Sequence, residues 1–398
     1  MALSLKKKKR RPDPRTSQDI RAERLRYREA ASAPMDLPFL LLTLLLTAMG
    51  LVMVLSASFP SAYYEEEGNG AYFFIRQCIF AALGLVVMFI LSRMNYQSLR
   101  NTGKGLMIFA LMLLVLVIIP GVGVYINGSR RWLRLGPLSF QPSELAKYAV
   151  VLFVALALAA RGKRVQRFFT GILPVLIAPG VMFLLILEQP NLSTAGTIII
   201  VSVILVMLAG ARWRHMLVLG AGGLALGAYY AWSEPYRRER LLSFTNPFAK
   251  MNDEGYQLSQ SLIAFGSGGL FGMGLGCGRQ KYAYLPYPES DFIFAIVGED
   301  FGLIGCVAVI LLFIAFLFAG MRIALTCPDT FGCLLAAGIT CLICVQAFIN
   351  MGVVVGVLPT TGLPLPFFSA GGTSLSITMA AVGVVLSISR TCEPVLRS

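Results

Sequence analysis

The residues in this chain best suited to chemistry are acids in apolar company. In YLPYPESDFIFAIVGEDFGLIG (residues 284–305), Asp291 stands at the threshold of a long apolar segment, and Glu299 and Asp300 lie inside it. Ionisable residues within apolar spans are functional candidates by default. Asp291 follows a Pro-rich turn (Pro286, Pro288) and is the best candidate general base, since a carboxylate in a partly dry cavity is a stronger base near neutral pH. An Asp directly before a helix is equally a common N-cap, worth ~1 kcal/mol. Glu299 and Asp300 come ~12 Å further along a helix at ~1.5 Å per residue, and structural pairing to Arg or backbone is their expected role. Glu144 and Lys147, three apart at the start of another apolar run, read as a helix-surface pair. They directly follow NGSRRWLRLGPLSFQ, so they could extend a cationic site or form a plain structural ion pair.

The sequence contains no nucleophile elbow, P-loop or H-E-x-x-H motif, and its single histidine is His215. Chemistry would then rest on carboxylates, with Arg and Lys stabilising negative charge. That pairing suits transfer from a phosphate-activated donor: a carboxylate takes a proton from an acceptor hydroxyl and cations hold the leaving phosphate.

The elements that must position these groups are apolar. The 398 residues are 57% hydrophobic and only 14% charged, against ~25% charged in a soluble domain. Ten runs approach or exceed the ~18 residues of a membrane span: about 37–58, 72–93, 105–126, 143–161, 169–187, 194–210, 215–232, 294–321, 332–355 and 367–389. The expected fold is an all-α polytopic membrane protein of about ten transmembrane helices. A large outer loop, 233–290, joins helices seven and eight and carries re-entrant or interfacial segments. The first run is full-length and lacks a small-residue cleavage site, unlike a signal peptide. The eight cysteines fall mostly in apolar runs, where small hydrophobic filler is their expected role.

Residues 1–35 form a basic tail, Lys6 to Arg11, Arg15, Arg21, Arg24, Arg26 and Arg28, within a net charge of +14. It reads as a disordered cytoplasmic tail against anionic lipid, worth ~1 kcal/mol per basic residue, rather than a nucleic-acid arm. Residues 36–392 form the membrane domain and 393–398 a second cytoplasmic tail. The positive-inside rule puts both termini in the cytoplasm. Two outer loops oppose that rule: one carries Arg130, Arg131 and Arg134, the other Arg237, Arg238, Arg240, Lys250, Arg279 and Lys281. An anionic ligand on the outer face, a phosphate or pyrophosphate, would favour them. Two stretches, 262–276 and 356–374, are apolar but Gly-rich or Pro-rich, and read as irregular backbone lining a cavity or covered by protein.

Several long stretches also resemble the SEDS family, the group of FtsW and RodA: NGSRRWLRLGPLSFQPSELAK (127–147), EQPNLSTA (188–195), NPFAKMNDEGYQLSQSLIAFGSGGLFGMGLG (246–276), QKYAYLP through SDFIFAIVGEDFG (280–302) and INMGVVVGVLPTTGLPLPFFSAGGTS (349–374). They are similar to FtsW more than to RodA, in the same order, along essentially all of 37–390. The resemblance implies an inverting peptidoglycan glycosyltransferase. It would polymerise lipid II, an undecaprenyl-pyrophosphate substrate, on the outer face of the bacterial cytoplasmic membrane, with a class B penicillin-binding protein and other division proteins as partners. The family's essential Asp falls on Asp291, its Arg-Trp pair on Arg131 and Trp132, and its Glu and Lys on Glu144 and Lys147. The matching stretches further imply substrate contacts at Gln189, Asn246, Pro247, Tyr256, Gln257, Gln260, Ser261, Lys281, Glu289, Pro359 and Thr361. Mg²⁺ would suit an acidic cluster meeting a pyrophosphate, though no ligand set is evident.

The chain departs from the family pattern where Tyr287 replaces a Glu, Glu289 a His, Ser290 a Thr, Asn191 an Asp and Ser193 a Gly. The second carboxylate has either moved two positions or marks a divergent member. Two other readings stand beside the enzyme: a lipid II flippase, which needs a cationic path to both faces, and a non-catalytic division scaffold, which needs no outward Asp.

Overall fold

The computed structural model describes residues 34–392 apart from 66–67, 127–128, 137, 233–243, 251–254 and 283. Arg237, Arg238 and Arg240, the basic tail up to residue 33 and the residues from 393 lie outside that description.

Each of the ten apolar runs carries a helix. They are α1 (Leu37–Glu65), α2 (Tyr72–Arg93), α3 (Leu99–Ile118), α4 (Pro142–Ala159), α5 (Leu173–Leu187), α6 (Leu192–Leu208), α7 (Trp213–Trp232), α9 (Ile293–Thr326), α10 (Thr330–Val354) and α11 (Thr373–Ser389), with a shorter α8 (Tyr256–Gly268) in the large loop. Among the described residues, α1–α5, α9 and α10 are long and apolar enough to cross a membrane, α2 extending to 22 residues and α9 to 34, while α6 and α11 are shorter apolar helices. Large apolar side chains such as Ile79, Leu83, Ile108, Ile177 and Leu184 are exposed on the outside of the bundle, as a lipid-facing surface requires.

Two features add detail to the expected helical architecture. The run 105–126 is not one helix: α3 stops at Ile118, where Ile119 turns extended. Pro120 disfavours a helical residue before it, and Gly121 follows at φ 90°. The chain then forms a three-stranded antiparallel sheet of β1 (Gly123–Ile126), β2 (Ser129–Leu135) and β3 (Leu138–Phe140), in that order. The basic loop of the sequence is therefore largely a strand, β2, whose register shifts between Tyr125–Arg130 and Val124–Trp132. Arg131 is the extra residue of this bulge, a device that re-aims a side chain.

The second feature concerns α9. At ~1.5 Å per residue its length exceeds a ~30 Å hydrocarbon core, and it is broken at Gly302 (φ 65°, ψ −162°). A short arm (293–301) precedes a long one (303–326). The break frees backbone groups that must be satisfied at membrane depth, and residues 269–274, just after α8, supply the partners. Met273 and Gly274 N–H donate to the carbonyls of Glu299 (2.9 Å) and Asp300 (3.0 Å), while Leu303 and Ile304 N–H donate to Gly269 (2.9 Å) and Leu270 (3.3 Å). Of the stretch 262–276 expected to be irregular, 262–268 is the end of α8, and only the part after Gly268 is irregular and welded into a helix.

Gly302 occupies a region essentially reserved for glycine, and a Cβ there would come within 2.5 Å of the Gly272 nitrogen. Gly302→Ala should therefore cost about 1–3 kcal/mol in backbone strain alone. It should appear as a clear drop in the thermal unfolding midpoint in detergent micelles; an unchanged midpoint would show that the break is soft.

The stretch 356–374 is likewise irregular, and it is covered by protein. Leu363, Leu365, Phe367 and Phe368 are buried. Ser369 Oγ accepts from Leu365 N–H (2.7 Å) and donates to Ser290 carbonyl (2.6 Å).

Candidate active site

Asp291 lies at the mouth of α9 and is half-buried. It is not the helix cap: Phe292 holds that position, without a side-chain capping bond. Asp291 Oδ1 accepts from Ser290 Oγ at 3.1 Å. A Cβ on Gly362 would lie 3.2 Å from Oδ2, so the carboxylate rests close against the Gly362 backbone. Tyr287, at the start of the turn, adopts φ 49°, a sparsely populated backbone for a bulky residue.

A polar frame built from four elements holds this turn. Asn350 and Gln346 lie one turn apart on α10. The Asn350 amide donates at 2.7 Å to both the Asp291 carbonyl and the Leu363 carbonyl. The Gln346 amide donates to Pro364 carbonyl at 2.8 Å, and its Oε1 accepts from Lys147 Nζ. Lys147 pairs with Glu144 at 2.9 Å, three residues earlier on α4. Glu144 also accepts from Ser374 Oγ, at the start of α11, at 2.5 Å. Pro142 opens α4 and Glu144 sits in its first turn, where the helix dipole favours a carboxylate. Glu144 and Lys147 are both almost fully buried, so charge pairing and hydrogen bonds offset their desolvation.

Glu289 is buried, and its carbonyl accepts from Ala370 N–H at 2.8 Å. Gln257 on α8 donates to Pro286 carbonyl at 3.4 Å, bringing α8 onto the same turn. Thr361, beside Gly362, has a buried hydroxyl without a hydrogen-bond partner among the described residues. Pro359 lies just before it in the irregular segment.

Other expected contacts are placed elsewhere. Arg131 Nε donates to the Gln189 carbonyl at 2.9 Å and its Nη2 to the Pro190 carbonyl, tying β2 to the α5–α6 turn. Gln189 is buried and donates to Leu114 carbonyl at 3.3 Å. Trp132 stands on β2 opposite Val124. Asn191 caps α6, its side chain accepting from Thr194 N–H at 3.3 Å; since Asp and Asn cap equally well, this departure from the family pattern preserves the local structure. Ser261 is buried and donates to Val354 carbonyl at 2.7 Å. Tyr256 and Gln260 are half-buried on α8, and Asn246 is exposed before the single turn that starts at Pro247.

Lys281 corrects the sequence reading most directly. Its ammonium is buried, 3.6 Å from Asp300 Oδ1 and 3.1 Å from Ser56 Oγ on α1. Glu299 and Asp300 hold the loop around it: Glu299 accepts the amides of Arg279 (2.6 Å) and Gln280 (3.1 Å), and Asp300 those of Gly276 and Gly278, both at 3.3 Å. The two intramembrane acids are thus a structural clamp, and Lys281 is its counter-charge. Among the described residues no three or more His, Cys, Asp or Glu side chains converge as a metal site, so Mg²⁺ gains no ligand set from this geometry.

The sequence reading missed Gln346, Asn350 and Ser374, which are ordinary polar residues in apolar runs. It also missed Arg76 of α2, whose guanidinium reaches Ser139 of β3 at 3.4 Å and adds a cation beside β2. A buried amide in a spanning helix was the available signal, since polar groups there need partners.

The whole arrangement has relatives. The family model for cell cycle proteins of the FtsW, RodA and SpoVE type matches residues 36–393. The chain belongs to this family. Stage V sporulation protein E of Bacillus subtilis is 44% identical over 355 residues, covering 89% of this chain and 97% of that one. A probable peptidoglycan glycosyltransferase FtsW of Geobacter sulfurreducens is 42% identical, covering 89% and 95%. Among solved structures, a chain of a peptidoglycan synthase complex that coordinates polymerisation and crosslinking superposes with a TM-score of 0.75 at 32% identity, covering 89% and 98%. The rod shape determining protein RodA of Thermus thermophilus superposes at 0.66 and 31% identity, covering 89% and 97%. Family membership makes this chain a multi-pass membrane protein with the expected SEDS architecture.

Asn350→Ala should lower activity by ~10- to 100-fold, because it releases the Asp291 and Leu363 carbonyls together and small misplacements of a catalytic group are costly. The fold should survive, which circular dichroism would check. Unchanged turnover would show that the frame does not position Asp291.

Proposed function

We infer that this chain is a peptidoglycan glycosyltransferase serving division or sporulation, in line with the names of its relatives. The observation that carries the reading is a half-buried carboxylate, Asp291, fixed by its own backbone to a buried polar frame. The substrate is lipid II, polymerised on the outer face, with the tail before residue 36 and the residues after 392 in the cytoplasm. Asp291 takes the proton of the acceptor sugar's 4-hydroxyl as that oxygen attacks the donor's anomeric carbon. The bond to pyrophosphate breaks from the opposite side, inverting the centre, and undecaprenyl pyrophosphate leaves.

The cations that meet the leaving group lie on and beside the sheet. Arg130 lies over Tyr125 at 5.8 Å, Arg134 is exposed, and Arg76 reaches β3. Arg131 and Lys147 act one step back: Arg131 sets the bulged strand, and Lys147 fixes Gln346. A class B penicillin-binding protein is the partner that would crosslink the product, consistent with the synthase complex that this fold superposes on.

A transporter would use Glu299 and Asp300 as polar steps through the membrane. Glu299 is engaged by backbone amides, and Asp300 by backbone amides, Ser56 and Lys281, a structural role that supports the enzyme over a path through these acids. The test is glycan formation from purified lipid II by the full chain with its cognate penicillin-binding protein, read as a ladder of products on a gel. Polymer is the expected result. No polymer with a competent partner, together with lipid II translocation in vesicles, would replace the enzyme by a flippase.

A further inference from the structure

The three carbonyls that lead into α9 each hold a donor. The Glu289 carbonyl accepts from Ala370 N–H at 2.8 Å, the Ser290 carbonyl from Ser369 Oγ at 2.6 Å, and the Asp291 carbonyl from the Asn350 amide at 2.7 Å. Asn350 stands on α10, a long and largely buried helix. The other two donors belong to the irregular stretch just before α11, Ser369–Ala370–Gly371–Gly372. Glycine backbone does not settle by itself into one conformation, and Gly372 lies in the left-handed region at φ 42°. This stretch can fix Ser290 only if something outside it fixes the stretch.

Gln77 of α2 does so. Its side chain is buried. Its Nε2 donates to the Ser369 carbonyl at 2.9 Å, and its Oε1 accepts from Gly372 N–H at 3.1 Å. One amide thus spans backbone groups three residues apart and closes the turn. Its platform is a packed helix pair, which holds a side chain more precisely than a loop does. Phe80, on the same face of α2, accepts on its carbonyl from Ser376 Oγ of α11 at 2.8 Å. A Cβ on Gly84 would lie 2.6 Å from the Met379 sulfur, so α2 and α11 approach closely there. Ser290 completes the connection, since its Oγ donates to Asp291 Oδ1 at 3.1 Å. Contacts therefore run from Gln77 through Ser369 and Ser290 to the Asp291 carboxylate.

We propose that Gln77 is a positioning residue for the reaction ascribed to Asp291, setting the direction of the carboxylate through Ser369 and Ser290. The inference rests on the glycosyltransferase reading of that site. Asn350 fixes the Asp291 backbone from α10. Gln77 fixes, from α2, the residue whose hydroxyl touches the carboxylate. The two braces come from different helices, so each can be removed while the other still holds the turn. A displacement of ~1 Å at a reacting group can cost ~10²-fold in rate. Gln77 is buried and reaches Asp291 only through two other residues. Its loss should therefore fall on turnover and leave the KM for lipid II nearly unchanged.

The test compares wild type, Gln77→Met, Asp291→Asn and the double variant, each as the full chain with its penicillin-binding partner and purified lipid II. Methionine keeps the unbranched shape and removes both hydrogen bonds. Turnover of Gln77→Met should fall ~10- to 100-fold, with KM within about two-fold of wild type. In the Asp291→Asn background the same substitution should cause no further loss, because residues that act as a unit are not additive. Equal fold-losses in the two backgrounds would mark a general structural role and overturn the proposal, as would full activity in Gln77→Met. If the unfolding curve in micelles shows that Gln77→Met does not fold, Ser369→Ala takes its place. It removes the hydroxyl on the Ser290 carbonyl and leaves the backbone carbonyl that Gln77 holds. Failure of both variants to fold would make the brace a requirement of the fold and overturn its positioning role. A wild type that makes no polymer would overturn the glycosyltransferase reading itself, whereas a fully active Gln77→Met beside an active wild type overturns this inference alone.

Discussion

Asp291→Asn should reduce glycan polymerisation by ~10²-fold or more, the loss typical of a positioned general base. The substitution nearly preserves shape and keeps an oxygen to accept from Ser290 Oγ. The backbone carbonyl that Asn350 holds is untouched, so the turn and the frame should survive. What disappears is the capacity to take a proton. Purified wild type and variant, each with the penicillin-binding partner and lipid II, give the comparison, and matching unfolding curves establish that both are folded. Full activity in the variant would remove Asp291 from the mechanism and turn attention to Glu289, two residues away and buried. Loss of polymer with lipid II binding retained is the expected pattern, because a base acts on the transition state more than on the bound substrate.

The largest expected effect on stability is at the opposite kind of acid. Asp300→Ala should cost ~3–5 kcal/mol, the range for leaving a buried charge without its partner. Lys281 would lose its counter-ion, Ser56 its acceptor, and the amides of Gly276 and Gly278 theirs. Against a total stability of ~5–15 kcal/mol, that is enough to deplete folded protein in the membrane. The measurement is the yield of monodisperse protein and its unfolding midpoint in micelles. Arg322→Ala is the control: its pair with Asp36 is about half exposed on the arginine side and should contribute only ~0–1 kcal/mol. Equal losses in the two variants would show that Asp300 is no special clamp. Activity lost from Asp300→Ala with full stability would restore the transporter reading of these acids.

The two acids differ in how their roles could be foreseen. Asp291 is legible because it follows a Pro-rich turn at the edge of an apolar run, and because its surroundings match a family motif. For Glu299 and Asp300 the sequence indicates structural pairing to Arg or backbone, and backbone amides are what they hold, with Lys281 in place of an Arg. The partners themselves, amides some 20 residues earlier in the chain, depend on the break at Gly302. Lys281 shows the converse: a basic residue in a proposed outer loop reads as a ligand for anions, yet it is buried beside Asp300. Charge type alone does not say whether the counter-charge is a ligand or the protein.

Hydropathy located the apolar helices, because a ~30 Å hydrocarbon layer favours long apolar runs and the backbone must satisfy itself within it. It overran the end of α3 at Ile118 and did not show that α6 and α11 are short. Motif order placed the chain in its family and singled out Asp291, Glu144 and Lys147. Only the tertiary structure decided how these connect. Gln346 and Asn350 carry no special type or spacing, yet one turn of α10 presents both to carbonyls 13 to 59 residues away. The bulge that aims Arg131, the sheet after α3 and the α9 break likewise arise where distant backbones meet. Local sequence sets which residues prefer helix or lipid; hydrogen-bond partners are assigned by packing, and packing is a property of the whole bundle.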